Sequence, residues 1–375
     1  TAEAEALLDR ALKLDPELAE GHAIFGLIRT KNDGVDTEAI ASLKRALEIN
    51  PNLESAKLWL ANALPDADEV IALYEEVVLR DPMYSPAFNN LIQNYSGSEQ
   101  FDKADALIDR VERVSGPDDA VNQAKGTVAF MRGEMADSVE TLRMAHEVNP
   151  NASIVQLWIG YALLFVGELE EAATSGRPEV SILAHRELGE FETADRLIAS
   201  MDLAAGDSSR RIRHTADYLV DRDRSGEFVA VVEEQFGGPA ELMDAHDMHG
   251  GWGAEYLGTM AYAYLLAGED DGYQLVMREF ESVLEAALEE GWDNWYYWYS
   301  KAQFAALSGD NDGAIEHLRK AYERGYISVF FFEPVFDLIS ADPQFVELDR
   351  EIIAAANAER AKLGLDPYRP VTLTN

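Results

Sequence analysis

Residues 85–150 read SPAFNNLIQNYSGSEQFDKADALIDRVERVSGPDDAVNQAKGTVAFMRGEMADSVETLRMAHEVNP, and they contain one helical pattern twice. The pattern has a small residue, a larger residue four positions later and a small or medium residue three positions after that. Its two copies, 34 residues apart, are Ala104, Ile108 and Val111, then Ser138, Leu142 and Ala145. A constant period of this size indicates stacked helical hairpins, because one hairpin cannot bury its apolar face alone.

The same triplet recurs elsewhere and extends the pattern towards both ends of the chain. The further copies are Ala4/Leu8/Ala11, Ala39/Leu43/Ala46, Val70/Tyr74/Val77, Ala194/Ile198/Met201 and Ala314/Leu318/Ala321. Asp-Pro and Asn-Pro pairs separate the hairpins, because proline ends one helix and is accepted in the first turn of the next. No alternating strand pattern competes with helix. We therefore predict an all-α fold, a right-handed α–α superhelix of helical hairpins that becomes irregular in its second half.

The regular period fails after Gly167, and this failure divides the chain. Residues 174–178, Thr-Ser-Gly-Arg-Pro, interrupt the helix that begins at Glu168. We predict regular hairpins at 1–176, degenerate hairpins at 177–250, aromatic-rich hairpins with a capping helix at 251–363, and an extended tail at 364–375. The first hairpin starts on its second helix, which predicts that it is truncated and that the chain was cut from a longer protein.

The triplets resemble the second-helix pattern of the tetratricopeptide-repeat (TPR) family. The first-helix pattern of that family, a large residue and Gly, is met at Phe25-Gly26 and Ile159-Gly160. The resemblance covers residues 1–173 and 298–322, and it implies a TPR-like solenoid that binds proteins without catalysing a reaction. The closing segment, residues 321–345, resembles the C-terminal end of bacterial multi-domain regulators with winged-helix or adenylyl-cyclase domains. That second resemblance implies a sensing or docking region involved in signal transduction or transcriptional regulation.

Composition limits the partners of this chain. It has 31 basic and 69 acidic residues, a formal net charge of −38, and no cysteine. Such a surface repels nucleic acid and anionic lipid and attracts basic segments, so we expect a protein or peptide partner, with a basic one favoured. No apolar run is long enough for a membrane helix. We expect no cofactor; homo-oligomer formation and the choice between cytoplasm and periplasm stay open.

Two groups of side chains are candidates for binding a partner. First helices line the concave surface of a TPR-like array, so amides on them can hydrogen-bond a partner's backbone or be solvated. In the aromatic-rich hairpins, Trp292, Trp295 and Tyr299 are predicted to share one helix face, with Tyr296 and Trp298 pointing elsewhere. Such a cluster suits a cationic or Pro-rich peptide or a small ligand, or it is hairpin core. The predicted binding residues are Asn62, Asn89, Asn90, Gln93, Asn94, Trp252, Tyr256, Trp292, Trp295 and Tyr299.

Metal binding and catalysis have weaker candidates. His246 and His249 lie three residues apart beside Asp244 and Asp247, a spacing that can hold zinc on a helix, but the glycines that follow favour a polar loop. No nucleophile motif is present. The alternative to an interaction module is therefore a ligand- or metal-binding receptor, or an enzyme, in the aromatic second half. A closed pocket near Trp252 and Trp295 with convergent polar groups would support that alternative.

Overall fold

The computed structural model describes residues 2–30, 37–64, 67–82, 84–201, 209–245, 254–289, 291–329 and 333–369. Within these ranges the regular structure is helical throughout, with 21 α-helices and one 3-10 helix. The prediction of an all-α superhelix of stacked hairpins is confirmed. First helices contact one another along an inner layer, and second helices pack outside them.

The regular region contains helices α1 to α11. Its hairpins pair α2 with α3, α4 with α5, α6 with α7, α8 with α9, and α10 with α11. The helices are α1 (Ala2–Leu14), α2 (Ala19–Thr30), α3 (Thr37–Ile49), α4 (Glu54–Ala63), α5 (Ala67–Arg80), α6 (Ser85–Gly97), α7 (Phe101–Ser115), α8 (Asp119–Arg132), α9 (Met135–Val148), α10 (Ser153–Val166) and α11 (Leu169–Ala173).

The triplets lie on second helices, and their members are buried in the hairpins that contain α3, α5, α7 and α9. Ala39, Leu43 and Ala46 of α3 are fully buried, as are the corresponding residues of α9. A Cβ on Gly126 of α8 would overlap the Leu142 side chain of α9, and Gly26 of α2 is equally close to Leu43. In these two hairpins the large middle residue of the triplet therefore occupies space that glycine leaves on the first helix. This close approach explains the paired first-helix and second-helix patterns.

The closing region contains the helices that follow. As the interruption at 174–178 predicts, α11 ends at Ala173 and α12 begins at Pro178, where proline is accepted because its missing N–H would be unpaired in any case. The helices are α12 (Pro178–Glu187), α13 (Phe191–Ser200), α14 (Ser209–Asp221), α15 (Ser225–Phe236), α16 (Pro239–Ala245), α17 (Ala254–Ala267), α18 (Asp270–Glu289), α19 (Trp295–Leu307), α20 (Asn311–Glu323), the 3-10 helix Pro334–Leu338 and α21 (Pro343–Lys362).

The closing region returns to the regular region along a seam. Asn294 Nδ2 donates to the Gly97 carbonyl at 2.6 Å, and Val329 N donates to the Phe165 carbonyl at 3.0 Å. Gly133 and Gly325 meet so closely that a Cβ on Gly133 would lie 2.6 Å from the Gly325 carbonyl oxygen. Both glycines have positive φ, so this contact combines a left-handed backbone with a close approach.

Helix α21 completes the seam. It packs against α20 and also against α9 and α10. The Glu359 carboxylate accepts from Ala136 N at 3.0 Å, and the Arg360 guanidinium donates to the Val166 carbonyl. The array therefore closes on itself, which the sequence did not predict, since the expectation was an open row ending in a capping helix.

One cluster of buried apolar side chains extends from Phe130 to Ile352. It crosses positions 176/177 and 250/251, where the sequence predicts boundaries between segments. Two smaller clusters lie in the regular region. The division into four segments stays a prediction. Within the predicted tail, Tyr368 N donates to Asn357 Oδ1 at 2.7 Å, so residues up to 369 follow α21 back along its surface.

Candidate ligand-binding site

An aromatic cavity of about 160 Å³ lies where the inner helices of the closing region face those of the regular region. Nine of its thirteen described lining residues are aromatic. The lining consists of Gln93, Phe130, Leu157, Trp158, Tyr161, Phe165, Arg213, Tyr256, Trp295, Tyr296, Tyr299, Tyr326 and Glu333. A cavity of about 150 Å³ can hold a molecule the size of benzene, so this one has room for a small organic group.

Much of the cavity wall comes from first helices, and one of them is apolar on most of its surface. Helix α10, SIVQLWIGYALLFV, is buried nearly all round and contributes Leu157, Trp158, Tyr161 and Phe165. A helix that is apolar all round is buried on all sides. In this fold one side of α10 packs on its neighbours and the other lines the cavity.

Helix α19 corrects one expectation about the aromatic cluster. The helix begins at Trp295, after an Asn294 cap that accepts from the backbone N–H groups of Tyr296 and Tyr297. Trp292 therefore precedes the helix and does not share a face with Trp295. Tyr296, predicted to point elsewhere, lines the cavity with Trp295 and Tyr299. The prediction was wrong for Trp292 because it continued the helix through Asn294, and wrong for Tyr296 because the cavity contacts a wider part of the helix surface than one face.

Trp298 lies on another face of α19, as predicted, and it is absent from the cavity lining, as is its neighbour Tyr297. Its ring lies 4.5 Å from the Lys320 ammonium and 5.4 Å from the His317 ring, both on α20. Its indole N–H donates to Asp293 Oδ1 at 2.7 Å. Trp298 therefore packs between the helices of its own hairpin.

A buried ion pair forms the polar part of the cavity wall. Arg213 of α14 donates to Glu333, and the Tyr299 hydroxyl donates to the other oxygen of the same carboxylate. The Arg213 Nε atom also lies 3.6 Å from Asp217 Oδ2. Arg213, Asp217 and Glu333 are all less than a tenth exposed. One guanidinium thus lies between two carboxylates in a site that excludes most water.

A second polar chain leads from the cavity into the core. Tyr161 Oη lies 2.7 Å from His214 Nε2, and His214 Nδ1 lies 3.3 Å from Asp217 Oδ2. Burial, reinforced by Arg213, holds the pKa of His214 well below its usual value, so the imidazole is neutral at physiological pH. The chain therefore places a neutral imidazole between a phenol and a carboxylate.

Burial shifts the acidic groups of this wall in the opposite direction. It raises the pKa of Glu333 and of Asp217, although Arg213 opposes both shifts. Desolvation also raises the pKa of Asp221, which lies outside the cavity lining with a side chain 29% exposed, to about 7 in spite of Arg186 at 2.8 Å. Burial and the Glu333 carboxylate raise the pKa of Tyr299 far above its usual value. The Tyr299 phenol therefore stays protonated.

An amide pocket of about 200 Å³ lies beside the aromatic cavity. Its described lining residues are Asn62, Tyr74, Asn90, Gln93, Asn94, Gly97, Ser98 and Trp292. The Tyr74 hydroxyl donates to Asn62 Oδ1, and Asn90 Nδ2 donates to the Tyr74 hydroxyl at 3.1 Å. Asn94 Nδ2 donates to the Asn90 carbonyl at 2.9 Å. These bonds fix the orientation of the amides and leave oxygens and N–H groups for a ligand.

Gln93 connects the two sites because it lines both the aromatic cavity and the amide pocket. It lies on α6, partly buried, and its side-chain amide makes no hydrogen bond within the described part of the chain. Asn89, one helical turn away, lines neither site. Its Nδ2 donates to Gln123 Oε1 of α8 at 3.1 Å, which joins two neighbouring first helices.

The structure brings most of the sequence-predicted residues into these two sites, while their role in binding stays a prediction. Asn62, Asn90, Gln93, Asn94 and Trp292 line the amide pocket, and Gln93, Tyr256, Trp295 and Tyr299 line the cavity. Trp252, His246 and His249 lie outside the described residues.

Other lining residues were missed by sequence reasoning. The sequence predicts only core positions for Phe130, Trp158 and Phe165, because a helix that is apolar all round gives no sign that one of its faces meets a cavity. Arg213 and Glu333 are 120 residues apart, and no local pattern predicts their contact. Among the residues that the structure describes, no group of three or more His, Asp or Glu side chains is arranged to hold a metal ion. The helices found in those ranges also include none with the length and apolar character needed to cross a membrane.

No protein-family model and no curated protein matches this sequence. Solved structures with similar folds include the Cut9–Hcn1 hetero-tetramer of APC/C, with 11% identity over 89% of this chain and a TM-score of 0.47. The present chain spans 62% of the length of that chain. Another is the human IFIT1 dimer with PPP-AAAA, with 15% identity, coverage of 86% and 68% of the two chains, and a TM-score of 0.37.

A tetratricopeptide-repeat protein from Parabacteroides merdae is also similar. It has 10% identity, coverage of 84% of this chain and 91% of that chain, and a TM-score of 0.30. All three scores are below 0.5, and none of these similarities names a ligand or partner for the present chain.

Proposed function

We propose that this chain is a non-catalytic interaction module that binds an extended peptide segment of a partner protein. The amide pocket contacts the peptide backbone, and the aromatic cavity takes one side chain. The observation that carries this proposal is the position of Gln93 in the lining of both sites. A ligand that fills both must pass Gln93, which suits a chain-like molecule with side groups.

The amide pocket matches the chemistry of a peptide backbone. Each peptide unit has one N–H donor and one carbonyl acceptor, and a side-chain amide offers both complements. Asn62, Asn90 and Asn94 are held in place by hydrogen bonds within the pocket. Amides fixed before binding lose little rotamer freedom when the ligand arrives, which favours affinity.

The finer features of the partner follow from charge and from the sequence resemblance. A net charge of −38 attracts a basic segment over a distance set by ionic strength, so the association rate falls as salt rises. The resemblance of residues 321–345 to bacterial multi-domain regulators supports a place in the sensing or docking region of a larger regulatory protein. Both features belong to the proposal.

The experiment starts with selection of peptides against the full chain from a random display library. Affinity of a selected synthetic peptide is then measured by fluorescence anisotropy for wild type, Gln93→Leu and Gln344→Leu. Gln93→Leu removes an amide that bonds to nothing in the described chain, so stability stays constant while a peptide group loses its partner. We expect at least fivefold weaker binding. Gln344, exposed on α21 away from both sites, is the matched control with unchanged affinity. Equal affinity of all three proteins would contradict the proposal.

A second candidate function is a receptor or enzyme for a small molecule. The observation that favours it is the Tyr161–His214–Asp217 chain, which reaches the cavity with a neutral imidazole behind a phenol. Such a chain can accept a proton from a ligand through Tyr161. A small-molecule screen by thermal shift separates the two candidates, because a ligand confined to the cavity is sensitive to Tyr161→Phe and binds without any selected peptide.

A further inference from the structure

We propose that the aromatic cavity selects a bulky alkylated ammonium group, such as a trimethylammonium group. The group is carried by a free small molecule or by a methylated lysine side chain. The peptide-borne form rests on the function proposed above, whereas the free form does not.

The arrangement of the rings in the cavity wall suits a compact cation better than a flat aromatic ligand. Tyr299 and Tyr326 lie 4.6 Å apart and are tilted by 34°, while Trp295 is tilted by 50° against Tyr326. Phe165 is tilted by 73° against Tyr326. The ring faces are therefore inclined to one another by 34° to 73° and do not form a flat slot with two parallel sides. A compact, roughly spherical cation can meet several of these negative faces at once, which is the arrangement that binds quaternary ammonium ligands.

The charges around the cavity exclude an anion and permit a cation. Arg213 is the one basic side chain among the described lining residues, and Glu333 and Asp217 both lie within 4 Å of it. An incoming anion would compete with two carboxylates for a single guanidinium and would face the negative sides of the rings. A cation meets the Glu333 carboxylate in the wall, while Asp217 lies outside the lining beside Arg213, and the combined formal charge of these two carboxylates exceeds that of Arg213. The protein's overall negative charge raises the local concentration of cations at the cavity mouth.

The size and dryness of the cavity favour alkylation. A bare lysine ammonium is strongly hydrated, and its removal from water into an apolar wall is costly. Methyl groups spread the charge, weaken that hydration and fill the space between the rings. About 160 Å³ matches a group of roughly seven non-hydrogen atoms, close to the size of choline.

Choline and its neutral isostere 3,3-dimethylbutan-1-ol test this inference directly. They have the same shape and differ in a nitrogen and its charge. Titration calorimetry with the full chain should show choline binding at least tenfold more tightly than the alcohol. Equal affinities, or tighter binding of the alcohol, would overturn the inference, because an apolar cavity would then explain the binding.

Two variants of α19 locate the bound cation. Tyr296→Leu removes a cavity ring while keeping apolar bulk, and it should weaken choline binding at least fivefold. Trp298→Leu removes a ring of the same helix that lies outside the cavity, and it should leave the affinity unchanged. Circular dichroism checks that both variants are folded. A loss of choline binding in Trp298→Leu with none in Tyr296→Leu would place the cation elsewhere and overturn the inference.

A binding experiment with modified peptides distinguishes the two sources of the ammonium group. A peptide selected against the full chain is synthesised with lysine, trimethyllysine or norleucine at its anchoring position. Tighter binding of the trimethyllysine form, with displacement by choline, supports the peptide source. Choline binding without any preference among the three peptides supports a free small molecule. Peptide binding through Gln93 with no response to choline retains the proposed function and overturns the cation inference.

Discussion

The regular and closing regions use the same hairpin but bury different chemistry. In the regular region, small and aliphatic side chains fill the space between paired helices, as Ala39, Leu43 and Ala46 do in α3. In the closing region the inner helices bury the Arg213–Glu333 pair and the neutral His214 beside an aromatic cavity. The difference shows that a repeat period specifies how hairpins pair, while the aromatic cavity forms where the irregular closing region meets the regular one.

The closing region carries the polar groups whose loss is most costly. Arg213→Met leaves Glu333 and Asp217 buried without their counter-charge. We therefore expect the free energy of unfolding to fall by about 3–5 kcal/mol at pH 8. Arg319→Met is the matched control, because its pair with Glu351 is about two-fifths exposed on both sides and exposed ion pairs contribute little to stability. Urea unfolding followed by circular dichroism measures both. Equal losses of stability in the two variants would show that the buried network contributes no more than the surface ion pair.

The regular region should be most sensitive to volume. Gly126→Leu places a side chain where Leu142 and Thr141 already lie, and overpacking of this kind costs about 1–3 kcal/mol. Gly226→Leu, on an exposed face of α15 with open space around it, should be neutral or slightly stabilising. Thermal melting of the two variants sharpens the contrast, and an unchanged melting temperature for Gly126→Leu would contradict the helix pairing described here.

Acid should destabilise the closing region through His214. In the unfolded chain this histidine takes up a proton below about pH 6.5, whereas the folded chain keeps it neutral, so stability falls as pH drops. The His214→Gln variant lacks this titrating group. Its free energy of unfolding should therefore fall less steeply than that of the wild type as pH drops, by up to about 1.4 kcal/mol per pH unit. Urea midpoints at pH 8.5, 7.5, 6.5 and 5.5 test this.

The interval between pH 7.5 and 8.5 serves as the internal control for His214→Gln, since the histidine is neutral in both states there. Asp221 acts in the opposite sense: burial raises its folded pKa to about 7, so its contribution to stability is present below its unfolded pKa and is lost as pH rises through 7. Both proteins contain Asp221, so the difference between their curves isolates His214. Parallel curves would show that the imidazole takes up a proton as readily in the folded chain as in the unfolded chain.

Substitution at the seam should change the stability of the protein least. Asn294→Ser keeps an oxygen that caps α19 but cannot reach the Gly97 carbonyl, and the lost hydrogen bond contributes about 1 kcal/mol. Asp118→Ser in the regular region keeps the cap of α8, where the side chain accepts from Val121 N, and should change stability by less than about 0.5 kcal/mol. Hydrogen exchange at the seam should rise in the first variant alone. Identical exchange in both would argue against a seam that holds the two regions together.

The sequence by itself determined the hairpins, because their information is local. The spacing of Ala104, Ile108 and Val111 defines a buried helix face, and the run 174–178 ends a helix through the backbone limits of glycine and proline. The amides on α6 were also readable, since a first helix of a stacked array faces inward.

Only the tertiary structure decided where the chain closes and what the closure encloses. The seam joins Gly97 to Asn294 and Gly133 to Gly325, pairs separated by almost two hundred residues. Its position depends on the sum of small rotations between successive hairpins, and no triplet records that sum. For the same reason Gln93, Arg213 and Glu333 carried no sign of their shared site until the fold brought them together.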